Sequence, residues 1–304
     1  MSNQLIVAGG NSSSLEQNCL SSIDVSDGLH GFKSIDFSLK ERRRGAAIFR
    51  RDSDSVLIVG GCAEPKIHLS SCETINIKDD SGVKHDIFHF DEPGFSCAAY
   101  CTMKPNVHVI AGGYNGVESL NSMRLFLTDQ TPQYLHLRAL ITRLKNSTAV
   151  PLDDENLLLV GGWDESRTLR TIFRYSLFNE QCNLESIMPI PLEGHSATKI
   201  GKNIYIVGGF DGISVVSQIL RYNIVEKTSE ILPTRLNIAR ENHGATTLEN
   251  ERTLIIAGGW DGQKALQNCE LFEVLQEPPW LRPMETTIEL TEARNKPAMI
   301  SIDL

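Results

Sequence analysis

The sequence predicts an all-β chain folded as a ring of six four-stranded antiparallel sheets, a six-bladed β-propeller. Glycine pairs recur at a near-constant spacing along the chain. Each pair closes a short apolar run. The piece missing from the first repeat stands, in surplus, after the last.

The pairs are Gly9-Gly10, Gly60-Gly61, Gly112-Gly113, Gly161-Gly162, Gly208-Gly209 and Gly258-Gly259, and subtracting successive first positions gives steps of 51, 52, 49, 47 and 50 residues. A fixed period near fifty marks a repeat architecture. The runs that lead into the pairs, such as Leu157-Leu158-Leu159-Val160, are apolar without alternation, as in a strand buried on both faces. Tyr114, Trp163, Phe210 and Trp260 follow four of the pairs, and Asn115-Gly116, Asp211-Gly212 and Asp261-Gly262 then supply turn dipeptides.

Each period holds four short strands, A to D, with the glycine pair closing B. Candidate A strands are 45–49, 96–101, 147–151, 196–200 and 244–248, rich in Ala, Ser and Thr as a strand crowded near an axis must be. Candidate C strands, 72–78, 171–178 and 219–224, alternate between two unlike faces. Candidate D strands, 32–37, 86–90, 133–137, 184–188, 228–232 and a segment around Trp280, have the loosest pattern, as an outermost strand does. The chain begins with a B strand at residues 5–8, so its first unit lacks an A strand, and it ends with 294–302, which reads as an A strand with no B strand after it. The C-terminal strand therefore closes the ring inside the first blade, and closure protects open strand edges. One domain spans 1–304: blade 1 is 1–40 plus 294–304, blade 2 is 41–90, blade 3 is 91–140, blade 4 is 141–191, blade 5 is 192–235 and blade 6 is 236–293.

A hydrophobic fraction of 41% is enough for a core, and a net charge of −9 argues against nucleic-acid or anionic-membrane partners, which demand a basic face. Seven scattered cysteines without a Cys-x-x-Cys read as reduced, and with Met1 so close to the first strand a cytoplasmic location is expected. No Gly-x-Ser-x-Gly elbow, phosphate loop or His-Glu-x-x-His is present, so no catalytic residue, metal or cofactor is expected.

These residues resemble the kelch-repeat family. There an Arg precedes a small-residue strand, an apolar strand ends in Gly-Gly, an aromatic and Asp-Gly follow, a third strand bears a Tyr and a last strand a Trp. Arg240, His243-Gly244-Ala245, Gly258-Gly259-Trp260-Asp261-Gly262 and Trp280 carry most of this in one unit, and Tyr175 and Tyr222 hold the third-strand position. The resemblance covers the whole chain, although most units lack the Trp and the first two lack the aromatic. It implies a protein-interaction module, in particular the propeller of a BTB-kelch substrate adaptor of a cullin-RING ubiquitin ligase. The cullin-3 partner would then be reached through a BTB domain that this chain does not contain. Actin binding or cytoskeletal scaffolding is the alternative, and a carbohydrate-active propeller enzyme a third.

In such adaptors the residues after each Gly pair and before each A strand line the ligand pocket. Carried over, the first set is Asn11, Cys62, Tyr114, Trp163, Phe210 and Trp260, and the second is Arg42, Arg143, Arg240 and Arg294, with Arg43 as a register alternative to Arg42. Aromatics offer contact area at little entropic cost, and arginine grips carboxylates in bidentate fashion, so a protein or acidic peptide ligand is expected. The competing reading of the same residues is structural: aromatics packed between blades, arginines bound to loop carbonyls. Asp164, Asp211 and Asp261 read as turn-formers, and Lys40 to Arg44 as a solvated basic turn.

Overall fold

The computed structural model describes residues 3–13, 19–27, 30–64, 66–77, 87–248 and 251–303. Lys78 and Asp86, at the ends of two expected strands, lie outside them. Among the described residues there is no α-helix, and so none long and apolar enough to cross a membrane.

Six sheets stand around an axis. From the axis outward, blade 1 is Ala298–Asp303, Asn3–Ala8, Ile23–Asp27 and Phe32–Ser34. Blade 2 is Ala47–Arg50, Ser55–Val59, Ser71–Asn76 and Ile87–His89. Blade 3 is Ala99–Lys104, Val107–Ala111, Met123–Leu127 and Gln133–Leu137. Blade 4 is Thr148–Pro151, Asn156–Val160, Thr171–Ser176 and Gln181–Ile187. Blade 5 is Ser196–Ile200, Asn203–Val207, Gln218–Asn223 and Thr228–Arg235. Blade 6 is Gly244–Leu248, Thr253–Ala257, Asn268–Val274 and Leu281–Pro283, with Ile288–Glu289 also pairing its third strand. Every pairing is antiparallel, and each innermost strand contacts the innermost strands of both neighbouring blades.

The ring closes as the chain ends suggested. The C-terminal strand pairs with the N-terminal one over its whole length, from Asn3 opposite Asp303 to Ala8 opposite Ala298. Six apolar clusters fill the six gaps between blades. This explains the unbroken apolar B strands. In Asn156–Val160, Leu157 and Leu159 join the cluster between blades 3 and 4, while Leu158 and Val160 join the one between blades 4 and 5. Successive side chains point to opposite faces of a strand, and here both faces are core.

The glycine pairs have a specific reason. The Gly113 amide donates to the Leu144 carbonyl of the next blade at 2.8 Å. That carbonyl lies so close that a Cβ on Gly112, whose φ is +62°, would sit 2.1 Å from its oxygen. The same inter-blade bond joins Gly10 to Arg43, Gly61 to Phe95, Gly162 to Leu192, Gly209 to Arg240 and Gly259 to Arg294.

Two features differ from the sequence reading. The inner strands of blades 1, 2 and 3 start at Ala298, Ala47 and Ala99, later than expected, because Lys296, Gly45 and Cys97 are taken up by the axial ring. A short hairpin, Cys62–Glu64 with Ile67–His68, rises from blade 2. It leans on blade 3, where the His68 and Tyr114 rings meet edge to face at 5.4 Å.

Candidate functional site

The loops that join D to A and B to C share one face of the ring, and its centre is the mouth of the axial channel. Two concentric sets of residues build it. In the outer set, each residue that follows a glycine pair bridges the residue just ahead of its own blade's A strand: Asn11 with Asn295, Cys62 with Arg44, Tyr114 with Ser96, Trp163 with Lys145, Phe210 with Glu193 and Trp260 with Glu241. The inner set is a closed backbone circle. The amide of Gly45 donates to the carbonyl of Lys296, Cys97 to Gly45, Asn146 to Cys97, Gly194 to Asn146, Asn242 to Gly194 and Lys296 to Asn242, at 2.6 to 3.0 Å. All six take left-handed φ values between +52° and +61°. This conformation is costly for Cys97 and Lys296, and the circle holds them in it.

The four aromatics at this face are half-buried. The Lys145 ammonium lies between two of them, 4.7 Å from the Tyr114 ring centre and 4.4 Å from that of Trp163. Turn chemistry holds the B to C loops as expected. One carboxylate oxygen of Asp164 accepts from the amides of Ser166 and Arg167, Asp211 does the same for Ile213 and Ser214, and Asp261 for Gln263 and Lys264. The loop tips Val117 and Ile213 are 85% and 89% exposed.

The expected ring of arginines is not at the mouth. Arg240 and Arg294 are 0% exposed. Arg240 donates to the Gly258 and Asn268 carbonyls and pairs with Glu270 at 2.8 Å. Arg294 donates to the Gly9 and Ser22 carbonyls and pairs with Asp24 at 2.9 Å. Arg43 is their counterpart in blade 2, binding the Gly60 carbonyl and Glu73. Arg42 is therefore out of that register and is exposed on its loop. Arg143, 44% exposed, donates to the Ser119 carbonyl at 2.9 Å and pairs with Glu118 on the loop rim. For Arg240 and Arg294 the structural alternative holds, because a guanidinium that satisfies its own blade's loop carbonyls is pulled beneath the surface.

The cations at the mouth are different residues. A pocket of about 350 Å³ opens where blades 2, 3 and 4 meet, lined by Arg44, Lys66, Lys145 and Lys296, with His68, Tyr114 and Cys97, and no carboxylate is among its lining residues. Glu193 and Glu241 hold the equivalent positions of blades 5 and 6. Glu193 is bound by the Asn146 amide and the Thr168 hydroxyl. Burial raises the pKa of Glu241 above its ordinary value, against the pull of Lys296. A second cavity of about 260 Å³ runs down the axis between the inner strands. Sequence reasoning missed Arg44, Lys145 and Lys296 by one or two positions. The usable signal was the separation of 30 residues between Arg43 and Glu73 and again between Arg240 and Glu270, which marks a buried pair and moves the mouth to the residues that follow the arginine.

Six blades, a double glycine leaving each second strand and a mouth of paired loops define the class of this protein as a β-propeller. Residues 191–235, which cover blade 5, match the Kelch motif family. That match within a ring of six such blades supports a kelch-repeat propeller. No curated protein matches the chain.

Proposed function

We propose that the chain is a protein-interaction module that binds a partner protein across its channel mouth, as the substrate-recognition domain of a cullin-RING ubiquitin-ligase adaptor. The observation that carries the mouth as the binding face is the cation-lined pocket flanked by half-buried aromatics and exposed aliphatic loop tips. Aromatic anchors near the centre of a patch with polar and charged groups around them are how interfaces are built. With Lys66, Lys145 and Lys296 on its walls, the pocket favours a partner segment that carries carboxylates.

The test is affinity capture from native lysate with the intact chain and with two variants of matched thermal stability. One carries Tyr114→Ala, Lys66→Ala and Lys145→Ala at the mouth, the other Phe178→Ala and Leu184→Ala on the outer edge. A partner lost only by the mouth variant supports the reading, and dependence of that partner's ubiquitination on the chain supports the adaptor role. A partner lost only by the edge variant overturns the mouth as interface. It would favour the scaffold or actin reading, which draws on one specific observation: Phe178, Leu184, Ile187, Val225 and Ile231 are exposed apolar residues on the outer parts of blades 4 and 5.

A further inference from the structure

Cys97 and Lys296, both members of the axial circle, also meet through their side chains. They belong to blades on opposite sides of blade 2, Cys97 ahead of the inner strand of blade 3 and Lys296 ahead of the C-terminal strand in blade 1. The axial circle brings them together, one residue of the circle apart, with Gly45 between them. Gly45 has no side chain, and a Cβ there would sit 2.9 Å from the Cys97 sulfur, so the gap is open for the two side chains to meet. The Lys296 Nζ lies 3.4 Å from the Cys97 Sγ.

The surroundings suit a charged sulfur. Burial by itself would push the Cys97 thiol up, but the Lys296 ammonium, a hydrogen bond with Ser96 and the Arg44 guanidinium together bring it below the ordinary thiol value. Lys296 is held correspondingly high, first by Cys97, with Arg44 opposing and Glu241 supporting. Cys97 also lines both cavities, the cation-lined mouth pocket and the axial channel, so small solutes reach it from the mouth. The other half-buried cysteine, Cys182, is pushed up by burial.

We propose that Cys97 is a modification site: a nucleophilic thiolate, paired with Lys296 where the mouth pocket meets the channel, that hydroperoxides convert to the sulfenic acid. The sulfur attacks one peroxide oxygen. An S–O bond forms as the O–O bond breaks, the sulfur is oxidised by two electrons and the peroxide is reduced. The departing hydroxide of hydrogen peroxide, or alkoxide of an organic hydroperoxide, takes a proton from the Lys296 ammonium and leaves as water or alcohol, and Lys296 regains a proton from solvent. The product is neutral, so oxidation strips Lys296 of its counter-charge and makes the pocket more positive. The inference does not depend on the mouth binding a protein.

The experiment treats the intact chain with hydrogen peroxide in the presence of a 1,3-dione trap and maps the adduct among the seven cysteines. In parallel, the rate of Cys97 alkylation by iodoacetamide is followed against pH. The adduct is expected at Cys97 ahead of Cys182, with an alkylation midpoint below that of free cysteine. Lys296→Gln is expected to lower the rate near pH 7 by about tenfold and raise the midpoint, while Lys296→Arg restores both. An adduct absent from Cys97, or a midpoint at or above that of free cysteine, overturns the proposal without any variant. Should Lys296→Gln fold but alkylate like the intact chain, the role of Lys296 is overturned.

Discussion

At the scale of single residues, the chain repeats one buried position with interchangeable chemistries. The residue whose carbonyl caps the preceding blade's glycine pair is Arg in blades 1, 2 and 6, and in each case it faces an acid of the C strand: Arg294 with Asp24, Arg43 with Glu73, Arg240 with Glu270. In blade 3 the roles are exchanged, with Phe95 in the arginine's place and the Arg124 guanidinium 5.3 Å above its ring. In blade 5 the same two places hold Leu192 and Leu220, both buried in one apolar cluster. Breaking a buried charge pair leaves one charge unpaired, whereas an apolar pair of similar volume is tolerated. Arg240→Leu alone is therefore expected to cost about 3–5 kcal/mol, and Arg240→Leu with Glu270→Leu markedly less. Urea unfolding of the two variants checks this, and a double variant no more stable than the single one would refute it. The buried histidines set a pH dependence. Burial holds His108 and His195 at about 4 and His243 at about 3. The unfolded chain binds these protons more readily, so the stability they confer is complete above pH ~6.5 and is lost as pH falls through their folded values. By pH 5 each ring is expected to have given up roughly 2 kcal/mol, read as a fall in the urea midpoint between pH 7 and pH 5.

At the scale of the element, the exit from each B strand is governed by the next blade. The first glycine of a pair gives way to a neighbouring carbonyl, and the second donates to it. Gly112→Ala places a methyl against the Leu144 carbonyl in a left-handed conformation, and a loss of about 2–3 kcal/mol is expected. Gly201→Ala is the control: it shares a positive φ but has nothing within 4 Å of its Cβ position, so its cost is expected to be about 1 kcal/mol from backbone strain alone. Equal thermal shifts for the two would show that the inter-blade contact contributes nothing. The alternating strands and the glycine exits were legible because a period of two and a doubled glycine leave local marks. The blade 2 hairpin was not, because Cys62–Glu64 and Ile67–His68 are too short to carry a pattern.

At the scale of the whole molecule, closure couples the two ends of the chain. The C-terminal segment from Arg294 supplies the inner strand of blade 1, the buried Arg294 itself and one residue of the axial circle. Deleting residues 294–304 is expected to lower the melting temperature of the entire ring in one transition rather than to unfold blade 1 alone. An unchanged calorimetric melt would refute this.

The number of blades, the strand order within them and the closure were written in the sequence, because a repeat whose units cannot bury their faces alone must stack, and its period and its unmatched ends are visible without coordinates. Which residues reach the mouth was decided only in three dimensions. A shift of one position along a loop turns a pocket-lining cation into a buried one, as Arg43 beside Arg44 shows, and the choice depends on carbonyls and carboxylates that other strands supply. The same holds for Cys97 and Lys296: nothing in their separate surroundings in the chain joins them, and only the circle of backbone bonds at the axis does.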